Sequence, residues 1–219
     1  MHKSIQNFLN IENKIKLNFS NLQNNDLPKI IAVSKTFSMD HIMPLINYGH
    51  KNFGENKVQE AIDKWVQIKI KNPDIKLHMI GRLQSNKVKS ALSVFDYIHS
   101  VDSLKLAKKI SEEQIKLGKK VKIFIQVNIG NEDQKSGIKK NELKDLILYC
   151  KELNLDLLGL MCIPPINNDP TFYFKDMYTL NKNFGFSELS MGMSSDYLKA
   201  IENSATYIRI GSSIFGERF

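Results

Sequence analysis

The chain has 219 residues, is 42% hydrophobic and carries 31 Lys and Arg against 23 Asp and Glu, a formal charge of +8. That apolar content supports one large core, while two distant cysteines, Cys150 and Cys162, exclude a disulfide framework and a closely spaced zinc or redox pair. The basic residues run from Lys3 to Arg218 without a dense arginine or aromatic-interleaved stretch, so no nucleic-acid partner is expected; with no signal-peptide core and no apolar span, a cytoplasmic protein away from membranes is expected.

The first stretch, with Ile5, Phe8, Leu9, Ile15 and Leu22 as apolar marks, predicts an amphipathic helix. Short apolar runs then alternate with helical patterns. The runs cover residues 30–33, 52–54, 77–80, 97–100, 122–128, 157–162, 188–191 and 207–210. The helices between them cover 39–48, 57–69, 86–92, 103–117, 140–152, 170–183 and 195–202, with Ser103 and Asn141 as residues that start two of them. Strand alternating with helix in this way implies parallel strands joined by right-handed crossovers. We therefore expect an α/β fold, a single (β/α)8 TIM barrel spanning residues 1–219 with an extra N-terminal helix. An open doubly wound sheet is the alternative, but Ser34-Lys35-Thr36 follows the first strand where a Gly-x-Gly-x-x-Gly turn would be needed, and no P-loop occurs.

In such a barrel the residues just after each strand gather on one face and form the site. Lys35 follows the first strand. A lysine at the carboxyl end of a buried parallel strand can be desolvated, which frees its amine to attack a carbonyl and form a Schiff base; the plainer alternative is a solvated strand end. After the seventh and eighth strands come Gly192 with Ser194 and Ser195, and Gly211 with Ser212 and Ser213. Backbone N–H groups freed by glycine, together with hydroxyl donors, suit an anion, and this is the usual phosphate corner of the fold. The histidines His2, His41, His50, His78 and His99 show no metal-ligand spacing, so no metal is expected. Glu55 could act as an acid or base, although a carboxylate capping the next helix is the simpler reading.

Taken together, Ile31-Ala32-Val33-Ser34-Lys35, Phe53-Gly54-Glu55-Asn56, the run His78-Met79-Ile80-Gly81-Arg82-Leu83-Gln84-Ser85-Asn86-Lys87, Gly159-Leu160-Met161, Leu189-Ser190-Met191-Gly192-Met193-Ser194 and Arg209-Ile210-Gly211 resemble the signatures of the pyridoxal phosphate homeostasis protein family. The match in order and spacing covers nearly the whole chain. It implies a barrel like the amino-terminal domain of alanine racemase, with pyridoxal 5′-phosphate (PLP) held as an aldimine on Lys35. By the same resemblance Ser194, Gly211 and Ser212 would hold the phosphate and Arg209 would face the pyridine nitrogen, while Asn56, His78 and Met191 would line the pocket. An arginine beside that nitrogen disfavours its protonation and weakens the ring as an electron sink. One departure is Ser204-Ala205-Thr206, where the family commonly carries Gly-Ser-Thr.

Two functions compete. One is a PLP carrier without catalytic turnover that supports cofactor supply, with PLP and apo PLP-dependent enzymes as partners. The other is a PLP-dependent amino-acid racemase. Racemases of this fold add a β-rich domain that builds the dimer and supplies an opposing tyrosine, whereas this sequence stops at Phe219. The expectation is therefore a monomeric, non-catalytic binding protein in intracellular PLP homeostasis, its cofactor open to solvent and exchange.

Overall fold

A computed structural model describes residues 1–20, 27–132, 134–166 and 168–217. Leu22 and Arg218, singled out from the sequence, lie outside the described residues. Eight parallel strands close into a barrel in chain order, β1 pairing with both β2 and β8. They are β1 (Lys29–Val33), β2 (Asn52–Glu55), β3 (Lys76–Met79), β4 (Tyr97–Val101), β5 (Lys122–Val127), β6 (Asp156–Cys162), β7 (Glu188–Met193) and β8 (Tyr207–Ile210). The strands are covered on both faces, which is why runs such as β1 and β5 are almost continuously apolar, while β3, β4, β7 and β8 each carry buried polar residues among the apolar ones.

The helices are α1 (Lys3–Asn18), α2 (Met39–Asn47), α3 (Val58–Lys71), α4 (Val88–Val94), α5 (Leu104–Leu117), α6 (Leu143–Glu152), α7 (Pro170–Asn183), α8 (Tyr197–Glu202) and α9 (Ser212–Phe215). The expected barrel and extra N-terminal helix are both present. Helix α1 buries Phe8, Ile11 and Ile15 and packs on α2 and α9, with the Asn7 side chain donating to the Ile214 carbonyl at 3.0 Å. Ser103 caps α5, its hydroxyl accepting from the Leu106 N–H. Asn141 does not start α6: it sits inside a 3-10 turn, Lys140–Glu142, and the helix begins at Leu143. The short α9 is not among the helices expected from the sequence.

Two apolar layers result. The larger lies between strands and helices and holds Ile42, Leu45, Trp65, Leu92, Met191 and Phe174. A second cluster of Ile31, Phe124, Met161 and Tyr207 lies inside the barrel. The Tyr97 and Tyr207 rings, on β4 and β8, approach to 6.1 Å, and strands so far apart in the order meet only across the interior. The amino-terminal half of the barrel is therefore packed solid with rings, and the open space is left at the carboxyl end.

Candidate functional site

A cavity of about 330 Å³ opens at the carboxyl end of β1, β2, β7 and β8, a volume within the small-ligand range. Lys35 enters it from the turn after β1. Ser34 is fully buried, its N–H donating to the Gly54 carbonyl at 2.9 Å, and Thr36 adopts a left-handed φ of 69°, so the chain reverses sharply around the lysine. Asn56 comes from the end of β2 and is backed by Gly81, where an added Cβ would fall 2.4 Å from the Asn56 carbonyl oxygen. Any larger residue at 81 would push Asn56 out of place.

Ser194, Ser195, Gly211 and Ser212 line another side of the cavity. The N–H groups of Gly211 and Ser213 both point at the Ser194 hydroxyl oxygen, at 3.3 and 3.5 Å. Two backbone donors thus converge on one serine oxygen at the cavity wall, a geometry of the kind that suits an anion oxygen. Gly192, expected to admit an anion, serves packing: its φ is 90° and an added Cβ would lie 2.5 Å from the Ala200 side chain in α8.

Arg209 is 4% exposed and lines the same cavity. Its Nη1 donates to the Ser190 hydroxyl and its Nη2 to the Cys162 carbonyl, each at 2.8 Å, and no carboxylate pairs with it among the described residues. Burial pulls its pKa below the ordinary arginine value, yet a guanidinium keeps its charge in proteins. Behind it the bonds continue through the barrel. Ser190 Oγ meets His99 Nδ1 at 2.9 Å, His99 Nε2 meets His78 Nδ1 at 3.0 Å, and His78 Nε2 meets Asn52 Oδ1 at 3.1 Å.

The direction of this chain is set from its last link, because the Asn52 amide oxygen only accepts and so takes a proton from His78 Nε2, leaving His78 Nδ1 to accept from His99. Ser190 accepts from Arg209 and passes its own proton toward His99 Nδ1. His99 is then protonated at Nε2 and donates to His78, which donates in turn to Asn52. Both rings are neutral, in agreement with burial pulling His78 down to about 3 and His99 well below its ordinary value.

The alanine racemase N-terminal domain model matches residues 12–218. A pyridoxal phosphate homeostasis protein of Aquifex aeolicus is 40% identical over 87% of each chain, and one of Homo sapiens is 35% identical over 87% of this chain and 77% of its own. The chain belongs to the pyridoxal phosphate homeostasis protein family. PipY of Synechococcus elongatus, solved with PLP bound, superposes with a TM-score of 0.80 at 32% identity, covering 93% of this chain and 99% of that one. Alanine racemase of Clostridium difficile superposes at 0.73 and 18% identity, over 98% of this chain but 56% of the racemase, and shares the fold.

Of the residues that the family resemblance singled out, Lys35, Asn56, Ser194, Arg209, Gly211 and Ser212 meet around the cavity. His78 and Met191 do not line it. His78 lies deeper in the barrel, stacked on Tyr97 at 4.2 Å. Met191 faces the helices, because strand alternation turns Ser190 inward and Met191 outward. The β7–β8 register then shifts between Ser190 and Met193, so that Met193 reaches the cavity. Sequence reading missed Ser190 and His99 as partners behind Arg209. Their polarity inside otherwise apolar strands was the available signal.

Proposed function

We propose that this chain binds PLP in the mouth of its barrel and acts in intracellular homeostasis of that cofactor without turning over a substrate. The observation that carries the reading is one cavity in which an amine, a buried guanidinium with no carboxylate partner among the described residues, and a serine-glycine cradle of converging N–H groups come together. These match three of the polar features of PLP, namely its aldehyde, its basic ring nitrogen and its phosphate. Lys35 would hold the aldehyde carbon, Arg209 the ring nitrogen, and Ser194, Gly211 and Ser212 the phosphate, with Asn56 beside the ring. His78 would act through the bonds that orient Arg209, and Met191 by packing behind β7. When bound, the cofactor supplies an electrophilic carbon that bonds reversibly to amines.

Racemisation needs a second group that takes or gives a proton opposite Lys35. Among the described residues lining the cavity, Lys35 and Arg209 are the titratable ones, and an arginine always charged is a poor base. This supports carriage over catalysis, as does the homeostasis name borne by relatives. The partners of such a role are apo forms of PLP-dependent enzymes. A monomer in a reducing cytoplasm is part of the proposal, in keeping with two buried, unpaired cysteines. Borohydride reduction of PLP-loaded protein followed by peptide mapping tests the site. The adduct is expected on Lys35 and is expected to vanish in a folded Lys35→Ala variant; an adduct mapped to a different lysine would overturn the assignment.

A further inference from the structure

Glu55 closes β2 with its side chain wholly buried, but it caps no helix and does not line the cavity. Its Oε1 accepts from the Ser34 hydroxyl at 2.7 Å and the Trp65 indole N–H at 3.0 Å, and pairs with the Lys64 ammonium at 2.7 Å. Lys64, on α3, also pairs with Glu60 at 2.9 Å and donates to the carbonyls of Ser34 at 3.0 Å and Phe37 at 3.2 Å. Glu60 Oε1 in turn accepts from the Thr36 N–H at 2.6 Å. Two consecutive turns of one helix thus grip the loop that carries Lys35.

The positions gripped are the informative part. Lys35 is flanked by two peptide groups, and both are held: the one before it gives its carbonyl to Lys64, and the one after it gives its N–H to Glu60. Fixing both flanking peptides fixes φ and ψ of Lys35 and hence the direction in which its side chain leaves the backbone. The left-handed Thr36 would otherwise relax, since a non-glycine residue in that region is strained. An ammonium held by two carboxylates can serve two carbonyls because it is a compact charge with several donors, a geometry that a planar guanidinium does not reproduce.

We propose that Lys64 and Glu60 are positioning residues for Lys35, aiming its amine at the cofactor's aldehyde from outside the cavity. The inference rests on the reading of Lys35 as the attachment point. It differs from mere support of the loop in what it governs: the rate at which the covalent bond to Lys35 forms should fall while non-covalent capture of the cofactor, through the phosphate cradle and Arg209, stays near the parent's. A misdirected attacking group typically costs about tenfold to a hundredfold in rate.

The test uses pyridoxal phosphate as probe with the parent, Glu60→Ala, Lys64→Arg, and the charge-balanced pair Glu55→Gln with Lys64→Met, which avoids stranding a buried carboxylate. Glu60 is only partly buried, so its alanine variant should fold even where the double variant does not. Stopped-flow absorbance reports bond formation, and binding to each variant carrying Lys35→Ala reports non-covalent capture. Hydrogen exchange on the cofactor-free proteins reports the Thr36 amide. Expected are bond formation slower by about tenfold or more in Glu60→Ala and the double variant, with unchanged capture and faster Thr36 exchange. Lys64→Arg should fall short of the parent despite its charge. Variants matching the parent's bond-forming rate would overturn the positioning role, whereas a parent that forms no adduct at Lys35 would instead overturn the site reading beneath it.

Discussion

At the amino-terminal half of the barrel the interior is filled by Tyr97, Phe124 and Tyr207 around His78 and His99, with ring centroids 4.2 to 6.3 Å apart. At the carboxyl end β1, β7 and β8 run into Ser34, Ser194 and Gly211 beside a cavity of about 330 Å³. The closed half is not purely apolar, and the bonds that run through it end on Arg209, which belongs to the open half. The lower barrel therefore does more than fill space. It supplies the Ser190 acceptor that holds a buried arginine in place where no carboxylate of the described residues does so, and it keeps two histidines neutral so that every link of the chain has one donor and one acceptor.

Acid should separate the halves most strongly. An unfolded histidine takes up a proton below about pH 6.5, whereas native His78 resists until about 3 and His99 also lies well below its ordinary value. Between those limits the unfolded state binds more protons, so stability rises with pH and is lost as pH falls from about 6.5 toward 3. These two groups contribute a slope of about 3 kcal/mol per pH unit near pH 5; His50, lowered by burial to about 4, adds to it, and the carboxyls of Glu55 and Asp102, raised by burial, subtract from it. Urea denaturation from pH 7 to 4.5 checks it. A stability that is flat across that interval would mean that one or both rings charge inside the barrel, and the directional chain would be wrong.

His99→Phe should be the next largest effect. A phenyl ring can occupy the stack on Phe124, 4.4 Å away, but it leaves the Ser190 hydroxyl without an acceptor and His78 Nδ1 without a donor. Two buried polar groups left unpaired cost roughly 2 to 5 kcal/mol in all. The variant also tests the link between halves. With Ser190 free to rotate, Arg209 loses its fixed direction, and the absorption spectrum of bound PLP should shift although the substituted residue does not line the cavity. An unaltered spectrum alongside lost stability would reduce the chain to ordinary barrel filling.

How much of this was legible beforehand differs between the halves in the same way. The strand and helix order follows from apolar periodicity, and β8 and α7 match their expected bounds because a short apolar run and an Asp169-Pro170 start are local signals. The mouth was legible where post-strand residues carry distinctive chemistry, as at Lys35 and Arg209. What stayed hidden depends on three-dimensional parity and distance. The register shift in β7 that swaps Met191 for Met193 has no local mark other than Gly192. The depth of His78 depends on the ring it stacks against. The grip of Lys64 and Glu60 on the Lys35 turn crosses from α3 to the loop after β1, and among so many lysines nothing in the sequence distinguishes Lys64.

The smallest expected effect concerns Ser204, where the family commonly carries glycine. Helix α8 ends with the Ser204 N–H donating to the Ile201 carbonyl at 2.9 Å and the Ala205 N–H to the Ala200 carbonyl at 3.0 Å, a paired closure that needs a left-handed residue at 204. Ser204 supplies it at a φ of 66°. A side chain there costs about 1 kcal/mol, and glycine would recover that strain while adding back part of it as freedom in the unfolded chain. Ser204→Gly should therefore stabilise by about 0.5 kcal/mol, seen as a small rise in denaturation midpoint. A β-branched residue at the same place should destabilise, because it fits the left-handed region worst. Thr206, two residues on, should tolerate no such exchange: its hydroxyl accepts from the Leu189 N–H at 2.7 Å and its carbonyl from the Lys29 N–H at 2.8 Å, so it helps to join β7, β8 and β1 where the barrel closes. If glycine at 204 leaves the midpoint unchanged or lowers it, backbone strain at the helix end is not what distinguishes this turn.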